Sequence, residues 1–173
     1  MDLLGAYLPT DRRHALARGA TLPDRTQGAA LFADVSGFTP LTEALLNELG
    51  PRRGAEELTR QLNLVYAALI TEVDRYGGSV ITFGGDAIMC WFDDDEKEEG
   101  MLRRKKEEAH PSFILPPSSS SLRAIACAFA MQTAMKQFAS VLTPSGQTVT
   151  LAMKAAVAAG PARRFIVGDP AIQ

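Results

Sequence analysis

The sequence has little of what thiolate metal sites, disulfide scaffolds and membrane spans require. Only two cysteines occur in 173 residues, Cys90 and Cys127, and neither stands in a CxxC or Cys/His pattern. We therefore expect no zinc site and no disulfide framework. No stretch reaches about 18 uninterrupted apolar residues, and the N-terminal residues lack the apolar segment of a signal peptide. The expectation is a chain without a membrane span, located in the reducing cytoplasm.

The sequence also lacks an excess of charge of one sign. Its 18 basic and 20 acidic residues give a formal net charge of -2. Such a balance offers no extended basic surface for nucleic acid or for an anionic membrane. An anionic ligand must therefore be bound by a local group of residues. The length is that of one domain of ordinary size.

A strand followed by two helices is predicted in the first half of the chain. The apolar run at residues 29–35 reads as a buried strand. Thr39 is the expected N-cap of a first helix, with Pro40 at its first position and Gly50 at its end. Pro51 opens a second helix in the same way. This second helix carries an apolar stripe at spacings of three and four, formed by Leu58, Leu62, Val65, Leu69 and Val73.

A β-hairpin is predicted next, after Gly77 and Gly78 end the second helix. Residues 79–83 and 87–92 are two β-prone runs, separated only by Gly84, Gly85 and Asp86. A connection of this length and composition is typical of a hairpin. The hairpin tip therefore carries an acidic residue.

The sequence changes character at residues 93–121, where charge runs, Pro-Pro and a serine tract predict a flexible insertion. Helical periodicity resumes over residues 122–138, through Leu122, Ile125, Phe129 and Phe138. A strand is expected over 148–158, ended by Gly160 and Pro161, and a last short strand over 164–167.

The order of these elements is strand, two helices, hairpin, helix and strand. It predicts an α+β fold, a ferredoxin-like βααββαβ domain with helices packed on one antiparallel-rich sheet. The predicted organisation is a lead-in segment at residues 1–28 and one domain at residues 29–173, interrupted by the insertion.

Asp34 and Asp86 are the residues from which chemistry is most readily predicted. One ends the first strand and the other lies at the hairpin tip, and a ferredoxin-like sheet places these elements side by side. We expect the carboxylates to approach within about 4 to 7 Å, because paired carboxylates at a sheet edge suit divalent cations that also bind phosphates. The turn at 36–39 leads into a helix N-terminus, which favours an anion. Local capping and ordinary turn chemistry are the simpler interpretations of each Asp taken alone.

Two motifs carry a resemblance to a known family. The runs LFADVSGFT at residues 31–39 and FGGDA at residues 83–87 resemble the class III adenylyl and guanylyl cyclase homology domain. The likeness is strongest to the soluble, bicarbonate-responsive branch and its bacterial relatives. It implies that Asp34 and Asp86 bind two metal ions, Mg²⁺ or Mn²⁺, together with the carbonyl of Val35.

The resemblance also implies the remaining parts of the site. Its substrate-binding residues are Ser36, Gly37, Phe38, Thr39, Thr82 and Gly85, with the turn at 36–39 holding phosphates. Family members often carry a base-selecting Lys or Glu four residues before the second Asp, where this sequence has Thr82. The preference for ATP or GTP is therefore left open. The family's transition-state Asn and Arg follow the strand that ends near Val167, and we expect a second cyclase domain to supply them.

The function expected from the resemblance is that of a nucleotidyl cyclase half-domain. It would convert ATP to cyclic AMP and pyrophosphate at a dimer interface, with a tandem domain or a second copy as its partner. Two alternatives stay open: a diguanylate cyclase-like enzyme, which shares a Gly-Gly-Asp hairpin, and a regulatory half that binds nucleotide and metal without turnover. Ala87 and Ile88 replace the acid-aromatic continuation of the first alternative.

Overall fold

The computed structural model describes residues 8–94 and 119–165. In chain order the elements are α1 (Thr10–Ala17), β1 (Arg25–Ser36), α2 (Phe38–Arg75), β2 (Ser79–Gly84), β3 (Ala87–Asp93), α3 (Ser119–Met135), a short 3₁₀ turn (Lys136–Phe138), β4 (Val141–Leu142), β5 (Thr148–Val149) and β6 (Ala152–Arg163).

In the described part of the chain, four strands form the main sheet in the order β2-β3-β1-β6, and every neighbouring pair is antiparallel. Strands β1 and β3 are therefore central, α2 connects β1 to the edge strand β2, and the chain crosses over to place β6 beside β1. Strands β4 and β5 pair separately as a small hairpin. The predicted α+β, ferredoxin-like arrangement is confirmed.

The hydrophobic core lies between one face of the sheet and the two long helices. Alternate residues of β1 point into it, so that Ala29, Leu31, Ala33 and Val35 are fully buried. The predicted stripe of α2 packs against them, with Val65, Leu69 and Val73 fully buried and Leu58 and Leu62 partly buried. The opposite face of the sheet carries the partly exposed apolar side chains of Phe32 and Met89.

Helix α2 is interrupted where the sequence predicts the end of one helix and the start of the next. Gly50 adopts φ 77° and ψ 170°, which is not helical, and Pro51 follows it. The start of α2 differs from the prediction, because the N-cap is Gly37 and Thr39 already lies inside the helix. Gly37 has φ 102°, a left-handed conformation that favours glycine and turns the chain two residues earlier than expected.

Strand β6 continues past the predicted stop at Gly160 and Pro161 and ends at Arg163. Proline has no N–H to donate to a ladder, so it is tolerated on a strand that pairs on one side only. Pro161 meets this condition, since among the described residues β6 is an edge strand that pairs with β1 alone. The predicted strand at 164–167 is wrong at Arg164 and Phe165, which are not in a strand, and its other residues lie outside the described part of the chain.

Helix α3 forms as predicted but buries a different face. Its inward residues are small or flexible: Ala124, Cys127, Met131 and Met135. Leu122, Ile125 and Phe129, which carry the apolar periodicity, are exposed, and Phe129 is 72% exposed. Phe138 is buried, in the 3₁₀ turn that follows.

Two predicted boundaries need correction. The lead-in segment at 1–28 includes α1, and its last residues from Arg25 onward belong to β1. The predicted insertion at 93–121 is too long at both ends, because Asp93 ends β3 and Ser119–Ser121 begin α3. Residues 95–118 lie outside the described part of the chain.

Candidate active site

Strand β1 and the β2–β3 hairpin bring Asp34 and Asp86 to one end of the sheet. Asp34 lies opposite Ala87, the residue that follows Asp86. The backbone N–H of Val35 donates to the carbonyl of Asp86 at 3.0 Å. Asp34 is half-buried and Asp86 is exposed, so both are accessible to a ligand.

The hairpin tip is a two-residue turn between the paired residues Gly84 and Ala87. Gly85 has φ 66°, and a glycine with positive φ at the first central position is typical of a type II′ turn. The hydroxyl of Tyr66, from α2, donates to the carbonyl of Gly85 at 3.2 Å. Burial, followed by the negative charges of Asp86 and Asp34, raises the pKa of Tyr66. The negative charges of Asp34 and Asp86 therefore both disfavour ionisation of the Tyr66 hydroxyl.

The turn into α2 leaves no room for a side chain at Gly37. A Cβ atom there would lie 2.3 Å from the carbonyl oxygen of Thr150 and 3.0 Å from the Leu151 side chain. The carbonyl of Gly37 accepts the N–H of Leu41 at 3.2 Å, which closes the first helical turn. The first N–H groups of α2 thus point away from the helix beside Asp34, as an anion site requires.

The other predicted residues of the turn differ in which of their groups a ligand can reach. Ser36 is exposed, and its hydroxyl donates to the carbonyl of Ala152 at 3.3 Å. Thr39 is exposed on the first turn of α2, whereas the side chain of Phe38 is part of the hydrophobic core. Phe38 can therefore contribute only its backbone to a ligand.

Thr82 lies on the same face of the sheet as Asp34 but two strands away. It is opposite Met89 on β3, which is opposite Phe32 on β1. Thr82 is exposed, and its hydroxyl donates to the carbonyl of Phe83 at 3.3 Å. At a strand spacing of about 4.8 Å, Thr82 lies about 10 Å across the sheet from the β1 side chains.

Lys154 is a candidate site residue that the sequence does not reveal. It lies directly opposite Asp34 in the β1–β6 ladder and is exposed. Directly opposed residues of antiparallel strands have Cβ atoms about 5 Å apart. The predicted strand at 148–158 contains Lys154, but only the register with β1 places this residue opposite Asp34.

The carboxylates of Asp34 and Asp86 suit a hard divalent cation that also binds the substrate. Across residues 8–94 and 119–165, no group of three or more His, Cys, Asp and Glu side chains forms a complete protein cage for a metal. Mg²⁺ commonly takes one or two carboxylates and completes its coordination with substrate phosphates and water. Burial raises the pKa of Cys90 and Cys127 to about 12, so neither thiol is available as a thiolate ligand.

Comparison with known proteins gives partial sequence matches and broader structural ones. Adenylate cyclase type 10 of Oryctolagus cuniculus and of Homo sapiens is each 38% identical over 66 residues, 38% of this chain and 4% of the relative. The crystal structure of the adenylyl cyclase CyaB from P. aeruginosa matches with 26% identity and a TM-score of 0.53, over 79% of this chain and 57% of that one. No family model matches the chain.

The chain therefore resembles class III adenylyl and guanylyl cyclase domains, in sequence over its match to cyclase type 10 and in fold over most of its length. A bacterial light-regulated adenylyl cyclase supports the fold assignment, with a TM-score of 0.64 at 19% identity, over 98% of this chain and 42% of that one. The chain spans only a small part of the cyclase type 10 sequences. Of the helices that the structure describes, none is long and apolar enough to cross a membrane.

Proposed function

We propose that this cyclase domain is one catalytic half of an adenylyl cyclase, which converts ATP to cyclic AMP and pyrophosphate. The observation that carries the proposal is the placement of Asp34 and Asp86 at one end of the sheet, beside the open first turn of α2. Lys154 adds a positive charge to the same site.

Each of these residues has a role in cyclisation. The carboxylates of Asp34 and Asp86, with the carbonyl of Val35, would hold two Mg²⁺ or Mn²⁺ ions. Bound there, the ions would lower the pKa of the ribose 3′-hydroxyl and offset the charge of the triphosphate. The free N–H groups at the start of α2 and the ammonium group of Lys154 would orient the phosphates, so that the 3′-oxygen attacks the α-phosphorus and pyrophosphate leaves.

The open sheet face supports an active site shared with a second cyclase domain. Phe32 is 49% exposed and Met89 is 37% exposed, and both lie one row from Asp34 on this face. Exposed apolar surface beside a polar site is typical of an interface. We propose that the second domain, in tandem or as another copy, covers this face and supplies the base-recognition and transition-state groups.

Substrate choice and turnover separate this proposal from its alternatives. The similarity to class III domains disfavours a diguanylate cyclase. A regulatory half that binds nucleotide without turnover stays a candidate, because Thr82 stands where a base-selecting residue is often found. The two free, buried cysteines agree with a location in the reducing cytoplasm, which is part of the proposal.

The test is cyclic nucleotide formation from ATP and from GTP, with Mg²⁺ or Mn²⁺, by the chain alone and after addition of a complementary cyclase domain. We expect very slow turnover alone and at least a hundredfold more with the partner, since a transition-state cation is worth about that much. Asp86→Asn should abolish the restored activity.

A matched control is Asp24→Asn, the same chemical change at an exposed residue just before the other end of β1. It should leave the restored activity intact. Fast turnover by the chain alone would contradict the half-site proposal, as would restored activity that survives Asp86→Asn.

A further inference from the structure

Tyr66 connects α2 to the tip of the β2–β3 hairpin. Its hydroxyl donates to the Gly85 carbonyl at 3.2 Å, and its ring meets the ring of Phe83 edge-on, with centroids 5.2 Å apart and planes at 80°. Residues 82–86 are all exposed, so the tip has little packing of its own. Tyr66 therefore supplies a polar and an aromatic contact to a segment that otherwise projects into solvent.

The hydrogen bond from Tyr66 to the carbonyl of Gly85 directly restricts the backbone of Asp86. A peptide group is planar, so fixing the carbonyl of Gly85 also fixes the N and Cα atoms of Asp86. On the other side, the carbonyl of Asp86 accepts the N–H of Val35 at 3.0 Å. Both peptide planes that flank Asp86 are thus anchored, one to α2 and one to β1. Rotation of its side chain is the main freedom that the carboxylate keeps.

The alternative role for Tyr66 is packing alone, as for other partly buried tyrosines of the core. Packing would need the ring but not the hydroxyl. The hydroxyl instead reaches past Phe83 to the exposed residue next to Asp86. A donated hydrogen bond at that position restricts the backbone of the turn, which ring contact with Phe83 does not do.

We propose that Tyr66 is a positioning residue that fixes Asp86 for cation binding. This inference rests on the proposed function only for the assignment of Asp86 as a metal ligand. Groups that orient a metal ligand commonly change metal affinity when they are lost, although they never touch the ion.

The test uses Tyr66→Phe, which keeps the ring and removes the hydroxyl. Tyr76→Phe is the matched control, ten positions along and therefore about 15 Å from Tyr66 in the direction of the helix axis. Mn²⁺ binding is measured by electron paramagnetic resonance in the presence of a non-hydrolysable ATP analogue. We expect Mn²⁺ affinity about threefold to tenfold weaker in Tyr66→Phe and unchanged in Tyr76→Phe.

Two further measurements separate positioning from general stability. Amide hydrogen exchange at residues 84–87 should be faster in Tyr66→Phe, while exchange in the core strands stays as in the wild type. With the complementary domain present, excess Mn²⁺ should restore the kcat of Tyr66→Phe, because only cation affinity is weakened.

If Tyr66→Phe binds Mn²⁺ as tightly as the wild type and its hairpin amides exchange at the wild-type rate, the positioning role is overturned. The proposed function would still stand. Failure of the wild-type chain to bind Mn²⁺ with the analogue would overturn both. An equal loss of affinity in Tyr66→Phe and Tyr76→Phe would assign the effect to helix packing and also overturn the role.

Discussion

Lys154 and Asp34 face each other across the β1–β6 ladder, so a cation and an anion stand side by side on the open sheet face. The ion pairs formed among the described residues do not include Lys154. Its ammonium group is therefore available to a phosphate without first breaking a salt bridge in the protein.

Replacing Lys154 with methionine keeps most of the side-chain length and removes the charge. We expect the KM for ATP in the partnered assay to rise about tenfold, the effect of losing one charged hydrogen bond to phosphate. Lys136→Met, at an exposed position on the 3₁₀ turn, is the control and should leave KM unchanged. Equal KM values for the two variants would exclude Lys154 from the phosphate site.

Candidate site residues can be predicted from the sequence where a local motif carries them. Asp34 and Asp86 stand in short, recognisable runs, and their elements could be placed beside each other from element order alone. Lys154 and Tyr66 could not be found in this way. The position of Lys154 depends on the β1–β6 register, and that of Tyr66 depends on how α2 lies against the hairpin tip. Neither relation leaves a pattern in the sequence.

Helix α3 shows why periodicity predicts that a helix forms more reliably than which face it buries. Two faces of α3 are apolar, one carrying Leu122, Ile125 and Phe129 and the other carrying Ala124 and Cys127. The larger side chains gave the stronger signal. The smaller side chains nevertheless face the sheet, because they allow α3 to pack closely on β1 and β6. The side-chain amide of Gln132 also donates a hydrogen bond to the carbonyl of Met153 at 2.8 Å.

The β4–β5 hairpin is tied to α2 by one carboxylate. Glu48 accepts hydrogen bonds from the hydroxyl of Thr143 at 2.7 Å, and from the hydroxyl and backbone N–H of Ser145 at 2.6 and 2.9 Å. The chain beyond this hairpin supplies Thr150, whose carbonyl lies against Gly37. Glu48 therefore stabilises a segment that supports the turn at the start of α2.

The same carboxylate gives a pH-dependent prediction. The side-chain hydrogen bonds from Ser145 and then Thr143 lower the pKa of Glu48 from its ordinary 4.5. A carboxyl with a lowered folded-state pKa stabilises the fold above its unfolded value and loses that contribution as the pH falls through the folded value. At pH 7, Glu48→Gln should lower the Tm by about 2–5 °C, and the difference from wild type should shrink below about pH 4.5.

Glu56→Gln is the control for Glu48, because Glu56 pairs with Arg52 at 3.4 Å on the surface, where both side chains are mostly exposed. Such pairs contribute little to stability. A Tm difference for Glu48→Gln that is the same at pH 4 and pH 7 would show that the carboxylate charge is not what holds the hairpin.

For the whole molecule, element order was enough to predict the ferredoxin-like fold, but not the contacts that close it. Arg164 pairs with Asp11 at 3.3 Å and with Asp93 at 2.9 Å, and so joins α1, the end of β3 and the chain after β6. Burial raises the pKa of Asp93, but hydrogen bonds from Trp91, Thr26 and Arg164 outweigh it and lower the pKa overall. These partners are far apart in sequence, which explains why the sequence alone predicts Asp93 to lie in an insertion.

The two ends of the sheet thus serve different purposes. The Arg164 cluster fastens the end where β1 begins, while the other end carries Asp34, Asp86 and the start of α2. The open face between them is partly apolar, and it is the surface on which we place the second cyclase domain. All of these proposals depend on the two aspartates sharing a cation with the nucleotide.

The most direct test is a crystal structure of the chain with Mn²⁺ and a non-hydrolysable ATP analogue, with manganese located by anomalous diffraction. We expect two manganese peaks between the carboxylates of Asp34 and Asp86, with the triphosphate against the first turn of α2. A nucleotide bound elsewhere, or manganese that contacts neither aspartate, would contradict it.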